Sequence, residues 1–274
     1  MRRIWIIGPL SMDTVISINE YPANGGFAQA SARQDRPGGS ASNTAVALAS
    51  AGAEVHLISF VGDDENGKKL TNYLSEIEGL HPHVETLPGA SLHALITVDG
   101  QGERTVFALE KNRLPSIKFD FKFESEDIVC FPVWRDEYLN WLRQANQQAG
   151  LTVVGSKAVL NDNVIADIAI GSESDADIES LDFARIKSCI LTQGVRGSTY
   201  LDAMGKVHLP ALEVEAVDAT GAGDAYLAGV LLGLAEGSPI EASMGNGTKW
   251  AAMTVMTNSS IPPRWSEVCL RFGL

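Results

Sequence analysis

The sequence is poor in cysteine, histidine and basic residues, and it has no long apolar run. Its three cysteines, Cys130, Cys189 and Cys269, are odd in number and far apart, and none forms a CxxC pair. That excludes a disulfide framework and a cysteine-built zinc site, and it leaves free, buried thiols of a reducing compartment as the expectation. The five histidines, His56, His81, His83, His93 and His208, are scattered without ligand spacing, and no chemistry is assigned to them. Lysine and arginine number 21 against 34 acidic residues, for a net charge of −13. Nothing basic is clustered enough to neutralise a nucleic-acid backbone, so no nucleic-acid partner is expected. No stretch approaches the ~18 apolar residues of a membrane span, and the short apolar run after Met1-Arg2-Arg3 ends at Pro9, too soon for a secretory leader. There is no proline-rich linker, low-complexity segment or internal repeat. The expectation is a soluble cytoplasmic protein with no membrane partner.

What the chain does have is alternation. With 274 residues, 45% of them hydrophobic, it can bury one large core, or a core and a small appendage. Ile4-Trp5-Ile6-Ile7-Gly8 is a continuous apolar run of the kind buried on both faces of a central strand. Glu54 to Gly62 reads as the next strand, and Asp63-Asp64-Glu65 opens a helix through about Glu78, its acidic first turn suiting the helix dipole. From Asp127 the order is strand (Ile128–Phe131), helix (137–149), strand (Leu151–Val154), short helix, then strand (Ile168–Ile170). Such alternation predicts an α/β fold with a mostly parallel sheet and crossover helices. Cys189–Gly194 is a further strand, followed by a hairpin, and later helices are expected over 240–256 and near Ser266. Phe27–Arg33 alternates weakly and reads as a strand of an exposed layer. Leu92–Val98 and Glu103–Ala108 flank a glycine-rich turn as a hairpin. Together the segments at about 13–37 and 91–110 predict a small sheet standing off the core as a lid, within one domain spanning 1–274.

The chemistry centres on Asp218-Ala219-Thr220-Gly221-Ala222-Gly223-Asp224, which opens a small-residue apolar helix. A Gly-Ala-Gly turn at a helix start leaves backbone N–H groups without intrahelical partners, at the positive end of the dipole, which makes an anion seat. Asp224 sets one carboxylate at its mouth. An acid there repels a phosphate that merely binds, but it makes sense as the acceptor of a proton from a hydroxyl that attacks a phosphoryl group. The alternative is a plain strand-to-helix turn with Asp224 as its cap. Pro37-Gly38-Gly39-Ser40-Ala41-Ser42-Asn43 precedes a second, alanine-rich helix. Asn43 in an apolar first turn needs a hydrogen-bond partner, either a ligand hydroxyl or a backbone carbonyl. Asp13 lies beyond the first strand, where it is either a hydroxyl ligand or a turn aspartate. Gly245-Asn246-Gly247 is unfavourable within a helix unless a flat ring or another helix packs closely against it.

With both glycine motifs in view, nearly the whole chain resembles the ribokinase (PfkB) family of ATP-dependent carbohydrate and nucleoside kinases. Gly38–Asn43 through Val61-Gly62-Asp63-Asp64 is similar to the family's first motif, and Asp218–Asp224 to its second. The resemblance implies a three-layer α/β/α fold with a small β-sheet lid, and it implies roles. Asp224 would be the base, and Gly221, Ala222 and Gly223 the anion hole. Asp13, Gly38, Gly39 and Asn43 would hold acceptor hydroxyls. Thr192, Gly194, Gly197 and Asn246 would line the nucleotide. Where the family carries Asn-x-x-Glu to organise Mg2+, this chain reads Ser172-Glu173-Ser174-Asp175, with Asp175 in the glutamate's place. Lys157 nearby is a phosphate contact or a surface lysine. Asp218 and Thr220 fall where some members bind K+. The activity implied is transfer of the γ-phosphoryl group of ATP to a sugar-like hydroxyl, with a lid-mediated homodimer as the expected assembly. A nucleoside acceptor would call on stacking partners such as Phe27, Phe107 or Trp134. A non-catalytic sugar- or nucleotide-binding regulatory protein is the third reading.

Overall fold

The computed structural model describes residues 1–102, 104–110, 121–175 and 181–274. The lone residue of the hairpin reading that lies outside them is Glu103. Thirteen strands form two sheets among the described residues. The larger sheet contains β1 (Ile4–Ile7), β4 (Val55–Gly62), β5 (Leu80–Leu87), β8 (Ile128–Phe131), β9 (Leu151–Gly155), β10 (Ala166–Ser172), β11 (Ile186–Thr192), β12 (Ser198–Asp202) and β13 (Gly205–Leu209). Their spatial order is β13-β12-β11-β10-β9-β8-β1-β4-β5, parallel from β5 to β11, with β12 and β13 added antiparallel as an edge hairpin. The second sheet, β3-β2-β6-β7, combines β2 (Ser11–Ser17), β3 (Ala32–Gly38), β6 (Leu92–Val98) and β7 (Arg104–Ala108).

Successive residues of a strand face opposite ways, and the central strands bury both sets. Ile4 and Ile6 join one core with Leu57, Cys130 and Ile190, whereas Trp5 and Ile7 join the other with Val129, Phe131 and Leu191. The first core is covered by α1 (Ser40–Ser50), α2 (Glu65–Ser75), α4 (Ala222–Glu236), α5 (Ile240–Val255) and α6 (Trp265–Phe272). The second is covered by α3 (Leu139–Gln148) and short 3-10 turns. The result is the three-layer α/β/α architecture with a smaller sheet. No helix among the described residues is long and apolar enough to cross a membrane. Cys130 and Cys189 are free and buried in strands, and burial pushes the Cys189 thiol up to about 12 and that of Cys130 higher still.

Three local readings change. The exposed-layer strand is Ala32–Gly38 rather than 27–33, because its pairing partner β2 is met only from Ser17↔Ala32 onward; Phe27 is 87% exposed. The strand β5 carries Pro82 and two histidines, an irregular pattern that hides it in sequence. Its place at the sheet edge tolerates the missing N–H of proline. The acidic Asp63-Asp64 pair does more than suit a dipole. Asp64 caps α2 by accepting from Gly67 N at 2.8 Å and also holds Ser91 N at 2.9 Å, while Asp63 accepts from Gly89 N at 2.7 Å.

The glycines of α5 resolve by helix packing. A Cβ on Gly247 would stand 2.7 Å from the Tyr226 carbonyl of α4, and one on Gly229 would stand 2.5 Å from Gly247 N. The two helices therefore touch backbone to backbone at this crossing, whereas Gly245 has open space. Both glycines forgo roughly 1 kcal/mol of helix propensity relative to alanine. Gly245→Ala should therefore raise the unfolding free energy by about that amount. Gly247→Ala should lower it, because overpacking at about 1–3 kcal/mol outweighs the propensity gain. Urea denaturation of the two variants side by side checks the opposite signs.

Candidate active site

Two helix N-termini converge on one carboxylate. Helix α1 starts at Ser40 because Gly39 turns the chain at φ 97°, and a Cβ there would meet the Pro9 carbonyl at 2.5 Å. Helix α4 starts after Gly221, which is left-handed at φ 81° and packed against the Ser260 carbonyl. Asp224 in the first turn of α4 accepts from Ser40 Oγ at 2.5 Å and from Asn43 Nδ2 at 2.8 Å, both on α1. Asn43 therefore finds neither of the two partners considered for it in the sequence. In this structure its amide is spent on Asp224. Burial raises the Asp224 carboxyl above its ordinary range, against the lowering effect of the Ser40 and Asn43 bonds, with Arg104 lowering it and Asp13 raising it further. Ala222 N donates to the Ala219 carbonyl at 3.3 Å, while the first-turn amides of Gly223 and Asp224 have no intrahelical acceptor.

The second sheet supplies the facing wall. Asp13 on β2 is buried, and its carboxyl lies against Gly38, accepting from Ser11 Oγ at 2.7 Å. Burial raises its pKa, with the Ser11 bond and the charges of Arg36 and His93 pulling the other way. Arg36, cross-strand from Asp13, is buried; its Nη1 donates to the Asn258 carbonyl at 2.9 Å and its Nη2 stands 4.0 Å from Asp218 Oδ2. Asp13, Val15 and Ser17 pair with Arg36, Gln34 and Ala32, so these side chains share one face. A cavity of about 500 Å³ opens over the Val15, Ser17, Gln34 and Arg36 part of that face and is bounded also by Val217 and Asp218; Asp13 does not line it. From β7, Arg104 Nη1 reaches to 3.5 Å from the Ala219 carbonyl.

Asp218 Oδ1 accepts from Thr220 N at 2.7 Å, and Thr220 Oγ1 and Ser260 Oγ are buried without a hydrogen-bond partner. Unpartnered buried oxygens beside a carboxylate are a donor set suited to a hard cation. Thr192 ends β11 opposite Ser172 on β10 and donates to the Gly171 carbonyl at 3.2 Å. Gly194 opens the 3-10 turn that follows and Gly197 ends it, and Asn246 lies on α5 next to the crossing with α4. At the end of β10, Glu173 is bound by Arg196 and by Gln193 Nε2, while Asp175 lies 3.4 Å from Lys157 Nζ. Lys157 thus meets a carboxylate.

Sequence reading missed Ser40, Arg36, Arg104 and Ser260. Ser40 sits inside the glycine motif and was readable as an N-terminal hydroxyl. Arg36 was readable from its alternation with Gln34 once the strand was placed. Arg104 and Ser260 carry no local signal. Of the aromatic residues considered for stacking, Trp134 is buried against Phe131 and Tyr138 in the second core, which takes it out of the site.

Because the native state holds the Asp224 proton more tightly than the unfolded chain does, this residue favours folding below the ordinary carboxylate pKa of about 3.9 and loses that advantage as pH rises. Asp224→Asn should therefore melt higher than wild type at pH 7–8, with the gap closing towards pH 4; thermal melts across that range check it. A constant gap, or a lower melting temperature at pH 8, contradicts this account of the carboxyl.

The chain is similar to known proteins over nearly its whole length. The pattern of the pfkB family carbohydrate kinases matches residues 1–267. The ribokinase of Bacillus subtilis is 28% identical over 276 aligned positions, covering 93% of each chain. Among solved structures, the ribokinase of Thermotoga maritima superposes with a TM-score of 0.81 at 21% identity over the whole of both chains. The ribokinase of Cryptococcus neoformans, solved in complex with ADP, superposes equally well at 20% identity over 99% of each chain.

Proposed function

The chain belongs to the pfkB family of carbohydrate kinases, and from that premise we propose that it transfers the γ-phosphoryl group of ATP to a hydroxyl of a sugar or sugar derivative, with Asp224 as the base. The observation that carries the proposal is the seating of Asp224. Its carboxylate is held on one side by Ser40 and Asn43 and lies in the same helical turn as the amides left open at Gly223 and Asp224. A hydroxyl placed at this carboxylate can surrender its proton as its oxygen attacks, while the amides and the dipole of α4 stabilise charge growing on the transferred group. The raised pKa makes Asp224 a better proton acceptor than an exposed aspartate, while the bonds from Ser40 and Asn43 favour its ionised form.

The acceptor is assigned to the space between Asp13 and Asp224, with Gly38 and Gly39 as close backbone, and the cavity lined by Arg36, Val217 and Asp218 extends it along the second sheet. The volume suits a small molecule. ATP is assigned to the ends of β10 and β11, with Thr192, Gly194 and Gly197 near the phosphates and ribose and Asn246 near the base. The second sheet acts as the lid that excludes water. Mg2+, when bound, would supply charge neutralisation of the phosphates; the acidic residue able to hold it, through water, is Asp175. For K+, Asp218, Thr220 and Ser260 form the fitting oxygen set.

ADP release from Mg-ATP over a panel of sugars, amino sugars and nucleosides tests the proposal. Asp224→Asn should lose at least about 10²–10⁴-fold in kcat with the acceptor KM little changed. Wild-type-like turnover in that variant would overturn the assignment. Ser40→Ala removes a bond that lowers the Asp224 pKa, so the acidic limb of the kcat–pH profile should move to higher pH. A limb that stays in place means that Asp224 is not the group titrating.

A further inference from the structure

Three histidines that are far apart in sequence meet at the sheet edge, away from the phosphoryl-transfer site. Parallel pairing of β4 with β5 sets His56 beside His81 and Ile58 beside His83. The rings of His56 and His81 stack with centroids 4.8 Å apart, and those of His56 and His83 with centroids 5.2 Å apart. Trp5 stacks on His56 at 4.1 Å and holds its ring in place. All of this lies at the amino ends of parallel strands, whereas Asp13 and the glycine turns lie beyond the carboxyl ends.

The hydrogen bonding singles out one atom. His56 Nδ1 is 2.9 Å from His83 Nε2. The tautomer that donates from His56 along this bond leaves a bare lone pair on its Nε2. That Nε2 is buried with no hydrogen-bond partner, and Glu54 Oε1 stands 3.5 Å away. A buried acceptor left unpaired this way costs free energy unless something binds it. The ligand atoms of Glu54, His56 and His81 all lie within 4.8 Å of one another. A tetrahedral ion with bonds near 2.0–2.2 Å wants them about 3.3 Å apart, a difference that rotation of the exposed Glu54 and His81 side chains can close. The nearby cation, Arg3, is engaged by Asp127 at 2.9 Å and Glu124 at 3.2 Å.

We propose that Glu54, His56 and His81 form a site for a divalent cation of the Zn2+ type, with His83 as the outer partner that orients His56. Two imidazole nitrogens and one carboxylate suit Zn2+, Co2+ or Ni2+ rather than the oxygen-seeking Mg2+ and Ca2+. A ligating histidine whose second ring nitrogen donates to a neighbour is the usual arrangement at such sites. The ion would tie the edge strand β5 to β4, a role separate from phosphoryl transfer.

The test uses tag-free, full-length protein stripped with EDTA, titrated with ZnCl2 by calorimetry and with CoCl2 by visible absorption. One ion per chain is expected, with MgCl2 failing to compete. Glu54→Gln and His81→Asn, both at exposed side chains, should each weaken Zn2+ binding roughly tenfold or more, and His83→Asn about 10–100-fold, as outer partners do. Zn2+ should raise the melting temperature of the wild type but not of the Glu54→Gln/His81→Asn double variant, whose circular dichroism should match wild type. Absence of stoichiometric Zn2+ binding would overturn the proposal, as would Zn2+ affinity unchanged in the double variant. In either case the cluster is only an aromatic stack on the sheet edge.

Discussion

The fold turns on the contact between the first turns of α1 and α4. Ser40 and Asn43 on one helix and Asp224 on the other join segments about 180 residues apart. Each helix N-terminus has open amides and a positive dipole end, and two of them facing one point form a strong local field. A single partly buried carboxylate balances that field. Its bonds to Ser40 and Asn43 fix its position, and burial leaves it more basic than in water. The rest of the chain serves this geometry: the parallel sheet sets both helices at the carboxyl ends of its strands, and the second sheet lies beside them.

The second layer of organisation is close backbone packing. Helix α4 is apolar on all sides because it is sandwiched between the sheet and α5, and its glycines let α5 approach to contact distance. A helix fixed on both faces cannot shift its first turn. That stiffness is what a site working by positioning and electrostatics needs.

Much of this was legible along the chain, for identifiable reasons. Central strands announce themselves as continuous apolar runs, and a Gly-Gly or Gly-Ala-Gly step before a small-residue helix marks a tight turn onto open amides. The parallel α/β class therefore came from local pattern, and the motif pair, taken together, from a resemblance to a known family. What failed locally failed where long-range pairing decides. The strand at Ala32–Gly38 is polar and partly exposed, and only its partner β2 makes it a strand. The edge strand β5 carries no strand signal in sequence because proline and alternating histidines mask its period, and with it the histidine cluster was missed. Trp134 read as a candidate ligand contact, and packing made it core.

By itself, then, the sequence determined the layered α/β architecture, the two glycine-opened helices and the presence of an acid at the mouth of one of them. Backbone sterics, apolar runs and helix-end chemistry act over a few residues, and those few residues carry them in full. Only the tertiary structure decided what Asn43 binds, that Ser40 and Arg36 belong to the site, which glycines are held by a neighbouring helix, and that His56, His81 and His83 share one place. These depend on strand register and helix crossing, which are set by the whole core at once and are written in no single stretch of the chain.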